Sequence, residues 1–129
     1  MSGIFFSHNI KNISKQKFES SFRKFSYPFS YLNVGPKYTI GKVSVLDEKK
    51  IYKKDNIAIS FTGNFFTNSS IDKIPEEHIH ELYVSNSLEK LYNVNGQFIF
   101  VIYDLNQNKV LLMNDRFGHY RTFLSLNKE

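Results

Sequence analysis

The sequence contains no cysteine and no tryptophan. Without cysteine there can be no disulfide, no thiolate metal site and no thiol nucleophile. No apolar run approaches the roughly 18–20 residues that a membrane helix needs, and the N-terminus has neither the basic start nor the apolar centre of a signal peptide. The expected location is therefore the cytoplasm, where the sequons at Asn12 and Asn68 carry no meaning. There is no internal repeat, no low-complexity segment and no linker.

What is present is the composition of a folded chain. The 129 residues are 41% hydrophobic and 16% aromatic, with 13 Phe and 8 Tyr, enough for one domain with a real core. A Phe-, Lys-, Asn- and Ile-rich composition also follows from an A/T-rich genome, so the aromatic bias carries little functional weight. The net charge of +5 raises nucleic acid or an anionic membrane as partners. The densest basic cluster, Lys49-Lys50 with Lys53-Lys54, is interrupted by Ile51 and Tyr52 and flanked by acidic residues. It reads as a solvated loop between strands, and neither partner is expected.

The chain is organised around Asn95–Leu124. After Gly96, apolar and aromatic residues run almost to Asp104; Asn106-Gln107-Asn108 turns the chain, and Val110–Met113 forms a second apolar run. This reads as a β-hairpin buried on both faces, which requires covering layers on each side. Upstream, residues 3–8 read as a buried strand. Ser14 is a suitable N-cap for a helix through Phe25, whose Phe18, Phe22 and Phe25 share one face. Tyr38–Leu46 and Asn56–Thr62 alternate as strands, with Gly63-Asn64 as the turn after the second. Pro75-Glu76-Glu77 starts a helix, and Ser87 caps a second, short one. The order predicts an α+β layered domain with helices covering mainly antiparallel sheets.

Four segments, in this order, resemble the glutaminase domain of class II glutamine amidotransferases of the asparagine-synthetase branch. They are Met1-Ser2-Gly3-Ile4-Phe5, Phe61-Thr62-Gly63-Asn64-Phe65-Phe66-Thr67-Asn68, Asn95-Gly96-Gln97 with Phe98–Asp104, and Asn114-Asp115-Arg116-Phe117-Gly118. The resemblance covers nearly the whole of 1–129 as a single domain, and its last two segments are the most specific. It implies the four-layer αββα sandwich of N-terminal-nucleophile hydrolases, in shortened form. The ATP-binding synthetase domain of family ligases has no counterpart.

The same resemblance implies a degenerate glutaminase site. The family nucleophile is a cysteine exposed by removal of Met1, and here it is Ser2, whose hydroxyl is far less ionised than a thiol. Thr62 stands in place of the oxyanion-hole Asn, while Gly63 keeps its place and its backbone N–H. Asn64 replaces the Glu that holds the substrate's amino group. Lys42 replaces the carboxylate-binding Arg, losing its bidentate fork. The family's Gly-Ser-Asp segment is missing between Thr67 and Glu77, and Phe25-Ser26-Tyr27-Pro28 occupies the place of its His-Arg-Gly-Pro-Asp. Asp115 and Arg116 are expected to hold the strand-end loop as a structural ion pair, with Gly118 beside them.

The expectation is a domain that has lost glutaminase activity, needs no cofactor, and serves an asparagine-synthetase-like ligase that forms amide bonds with ATP. The alternatives are an active N-terminal-Ser amidohydrolase using Ser2, a free-standing small-ligand binding module, or a truncated product whose open sheet edge self-associates into homo-oligomers. His78 and His80, two apart and so on different helix faces, are expected at a solvated helix end, and no metal site is expected. His8 and His119 have no visible partner in the sequence.

Overall fold

The computed structural model describes residues 3–8, 20, 29–34, 38–43, 51–66 and 74–122. Strands β1 (Gly3–His8), β2 (Phe29–Val34) and β3 (Tyr38–Val43) form one antiparallel sheet in the order β1-β3-β2. Strands β4 (Tyr52–Lys54), β5 (Ile57–Phe66), β6 (Asn95–Asp104) and β7 (Lys109–Asn114) form a second, antiparallel in sequence order. Between β5 and β6 lie helix α1 (Pro75–Val84) and a 3-10 helix over Leu88–Asn93. The α+β class expected from the element order is seen in its coarse form, helices and strands together in a structure built mostly of strands in two antiparallel sheets.

Strand β6 sits at the centre, and residues 98–104 are buried without a break. Pleating sends alternate side chains to opposite faces. Phe98, Phe100 and Ile102 point the same way as Ile57, Ile59 and Phe61 of β5 and pack with Ile79, Leu82 and Leu91 of the helical layer. Burying each of these large side chains stabilises the fold by about 1.5–3 kcal/mol. On the other face, Ala58 and Tyr103 pack with Ile40 of the first sheet, and Phe6 and Leu32 close around them. Three layers follow: the first sheet, the second sheet, and α1 on its far side.

Helix α1 starts as its sequence dictates. Pro75 occupies the first turn and Glu76 and Glu77 face the positive end of the helix dipole. It ends in a Schellman pair, Asn86 N–H to Tyr83 O (3.0 Å) and Ser87 N–H to Leu82 O (2.8 Å), with Asn86 at φ 54. The segment capped by Ser87 is a 3-10 helix, and Ser87 Oγ bonds Ser85 O instead of capping it.

Several expectations need correction. Gly63-Asn64 is no turn: β5 runs on to Phe66, with Gly63 opposite Phe98 and Asn64 opposite Gln97. The basic stretch is not wholly loop, because Tyr52–Lys54 is an edge strand with Lys53 and Lys54 exposed. Strand β2 had no expected counterpart. In the hairpin only β6 is buried on both faces; Val110 and Leu112 of the edge strand β7 are exposed. The helix expected over 14–25 lies outside the described residues, apart from Ser20, which is helical.

Gly63 can stay in the strand because it is glycine. Its φ is +110, and a Cβ there would lie 1.9 Å from Gln97 O. Gly3, by contrast, has nothing within 4 Å of an added Cβ. Gly63→Ala is expected to destabilise the protein by at least about 2 kcal/mol and Gly3→Ala to leave stability within about 0.5 kcal/mol, read by denaturant unfolding. Equal stability of the two variants would contradict this account of β5.

Candidate functional site

One end of the space between the sheets is sealed by aromatic rings. Tyr38, the first residue of β3, lies over Tyr103 near the end of β6, with ring centroids 4.4 Å apart. Their hydroxyls both donate to Asn108 Oδ1, at 2.9 and 3.1 Å. Phe6 reaches the same two rings at 5.7 and 6.1 Å. With these ends matched, β3 and β5 run the same way, and β1 begins at the opposite end of the sandwich.

That opposite end is polar. Ile4 pairs with Lys42, one residue from the start of β1, and Ser30 pairs with Lys42 from the other side. Lys42 shares its face with Ile40, and so looks into the space between the sheets. From β5, Ser60 and Thr62 share the face of Ala58 and look into the same space. Lys42 and Thr62 are each 4% exposed, and Ser60 is 1% exposed. Buried polar groups are normally hydrogen-bonded, yet Ser60 Oγ has no partner among the described residues. Asn64, two residues further along this face, is exposed among the described residues. The fold thus gathers Lys42, Thr62, Gly63 and Asn64 toward the end where β1 starts. Ser2 lies outside the described residues. Ser60 was not anticipated, because a serine in an alternating strand carries no signal of which face it takes.

A second constellation follows β7. Asp115 is buried, and its N–H bonds Phe98 O (2.9 Å), fixing it to β6. Its carboxylate accepts the N–H groups of Phe117 (2.9 Å) and His119 (3.2 Å), and pairs with His119 Nδ1 at 2.8 Å. Burial pushes the Asp115 carboxyl upward, but the His119 hydrogen bond and the two backbone N–H groups outweigh it and hold it below the usual carboxylate range. The expected Asp115–Arg116 ion pair does not form. Arg116 is exposed with no ion pair among the described residues, and the partner is His119, four residues on in a loop that folds back. Gly118, at φ 63, allows that fold-back, and its N–H bonds Asp115 O at 3.0 Å.

Compared with protein-family models, curated proteins and solved structures, the chain matches none.

The remaining buried polar groups lie around the hairpin turn and under α1. Asp104 accepts the N–H groups of Asn106 (2.8 Å) and Gln107 (3.0 Å), holding the turn as an Asx side chain does. It also accepts the Tyr83 hydroxyl at 2.9 Å. Burial, then this hydrogen bond and the Asp104 charge, push the Tyr83 phenol up to about 12. The solvated helix end expected at His78 and His80 is corrected for His80: it and Glu76 are buried, because α1 turns their face onto the second sheet, while His78 is half-buried. Among the described residues no three metal-ligating side chains converge, and no helix is long and apolar enough to cross a membrane.

The lowered Asp115 carboxyl fixes a sign. Its stabilising effect is present above the unfolded-state value near 3.9 and is lost as pH falls through the lower folded-state value. Asp115→Asn should cost about 1–3 kcal/mol at neutral pH and flatten the loss of stability below about pH 4, measured by urea unfolding across pH. An unchanged acid limb in the variant would show that Asp115 does not organise the loop.

Proposed function

We propose that this chain is a glutamine-amidotransferase-like domain without glutaminase activity, acting as scaffold or regulator of an ATP-dependent ligase that forms amide bonds in the cytoplasm. One observation carries the reading. Two antiparallel sheets lie face to face, and the buried polar positions between them, Lys42 and Thr62, lie toward the end where β1 begins. An N-terminal nucleophile would need polar groups of this kind at the end where β1 begins. A helix on the outer face of the second sheet agrees with an αββα sandwich.

The chemistry at those positions argues against turnover. A serine hydroxyl is effectively un-ionised at neutral pH, where a cysteine thiol is a few per cent thiolate. Losing an oxyanion donor of the Asn type removes about 3–4 kcal/mol of transition-state stabilisation. At position 64 an exposed neutral Asn stands where the resemblance puts a carboxylate, so an α-amino group gains no counter-charge. Lys42 keeps a positive charge in the pocket but offers no fork for a carboxylate. A ligase that activates its own carboxylate with ATP and uses an internal amine needs no ammonia, which makes an inactive domain sufficient.

The unpartnered Ser60 hydroxyl favours a second reading, a pocket that still binds a small polar ligand without turning it over. Intact mass before and after exposure to an electrophilic glutamine analogue, with Ser2→Ala as control, separates these readings from an enzyme. The expected result is no adduct on either protein. One adduct that disappears in Ser2→Ala would establish an active N-terminal serine and overturn the proposal. A thermal shift with an amino acid or nucleotide, without an adduct, would select the binding-module reading.

A further inference from the structure

We propose that β7 is a docking edge for an extended protein segment whose apolar stretch is flanked by carboxylates. Strand β7 ends the second sheet among the described residues, with β6 on one side of it. The Asp115 N–H donates to Phe98 O, on the residue directly opposite, so these two form a hydrogen-bonded pair. Bonded and non-bonded pairs alternate along an antiparallel ladder, which makes Met113 with Phe100 and Leu111 with Ile102 bonded pairs as well. The N–H and C=O groups of Val110 and Leu112 therefore point away from β6, toward an edge that no other described strand occupies.

The side chains of the same two residues are bare. Residues opposite one another share a face, so Val110 lies beside Tyr103 and Leu112 beside Val101. Both β6 neighbours are buried, whereas Val110 is 38% and Leu112 48% exposed. Sheet edges are normally blunted by charge, proline or a bulge. Between Val110 and Met113 this edge has no charge and no proline, and its register with β6 is unbroken.

Charge decides what fits. Lys109 and Arg116, at the two ends of the apolar stretch, are exposed, and so is Arg121. The two nearby carboxylates are already engaged: Asp104 and Asp115 are buried, and each accepts hydrogen bonds from its own loop. A second copy laid on this edge would add its own Lys109 and Arg116 and no free carboxylate, so charge disfavours self-pairing. An extended segment with alternate apolar residues between two carboxylates complements it. The segment's main chain would bond Val110 and Leu112, its apolar side chains would cover theirs, and its acids would meet Lys109 and Arg116. This surface is independent of the pocket between the sheets.

Amide NMR and hydrogen exchange of the full chain test the edge, with the end-capped peptide Glu-Thr-Val-Thr-Val-Thr-Glu as probe. In the free chain, Val110 and Leu112 amides should exchange at least about tenfold faster than those of Leu111 and Met113. The peptide should slow the Val110 and Leu112 amides and move their resonances. The same peptide with lysine at both ends should bind at least about threefold more weakly, and Arg116→Glu should erase that preference. Leu112→Pro removes an outward donor while leaving the ladder to β6, and should abolish binding. Slow exchange of Val110 and Leu112 in the free chain would show an edge already occupied, by a second copy where the protection grows with concentration and by this chain where it does not. Either result would overturn the proposal, as would failure of the acid-ended peptide to bind or equal binding of the two peptides.

Discussion

Every layer of this protein depends on β6 being buried on both of its faces. A strand in that position can carry no unsatisfied polar side chain, and each neighbour must supply apolar surface to one face or the other. Phe98, Phe100 and Ile102 require the helical layer; Ile99, Val101 and Tyr103 require the first sheet. The two polar groups that β6 does bury are both anchored. Tyr103 donates to Asn108, and Asp104 accepts three hydrogen bonds that hold the turn and Tyr83. The hairpin is thus the template on which β5, α1 and the first sheet are laid.

Against this background the buried polar groups fall into two kinds. Asp104 and Asp115 are saturated with hydrogen bonds, and they serve loops: one holds the hairpin turn, the other folds residues 115–119 back on themselves. Ser60, Glu76 and His80 each leave an atom unpaired. A buried polar atom without any partner destabilises a fold by about 1–3 kcal/mol. They occur in two places, on the two faces of the second sheet. Ser60 belongs to the polar end between the sheets, beside the start of β1. Glu76 and His80 lie on the face of α1 that covers the second sheet, with His80 beside Asp55 of the β4–β5 turn.

The functional reading rests on the first of these places and is independent of the second. Between the sheets that place holds buried Lys42, Ser60 and Thr62, with Asn64 exposed beyond them.

The sequence by itself determined the elements whose signal is local. Unbroken apolar residues marked β6, Asn106-Gln107-Asn108 its turn, and Pro75-Glu76-Glu77 the start of α1, because turn chemistry and helix capping are decided within a few residues. It also determined that no thiol chemistry is available. What needed tertiary structure were the features in which one strand's environment depends on another. Gly63-Asn64 reads as a turn in isolation, and continues as strand because Phe98 and Gln97 pair with it. His80 reads as a solvated residue, and is buried because α1 rotates its face onto β4 and β5. His119 reads as isolated, and meets Asp115 only because Gly118 turns the loop back. In each case periodicity states which side chains share a face, and only packing decides which face is covered.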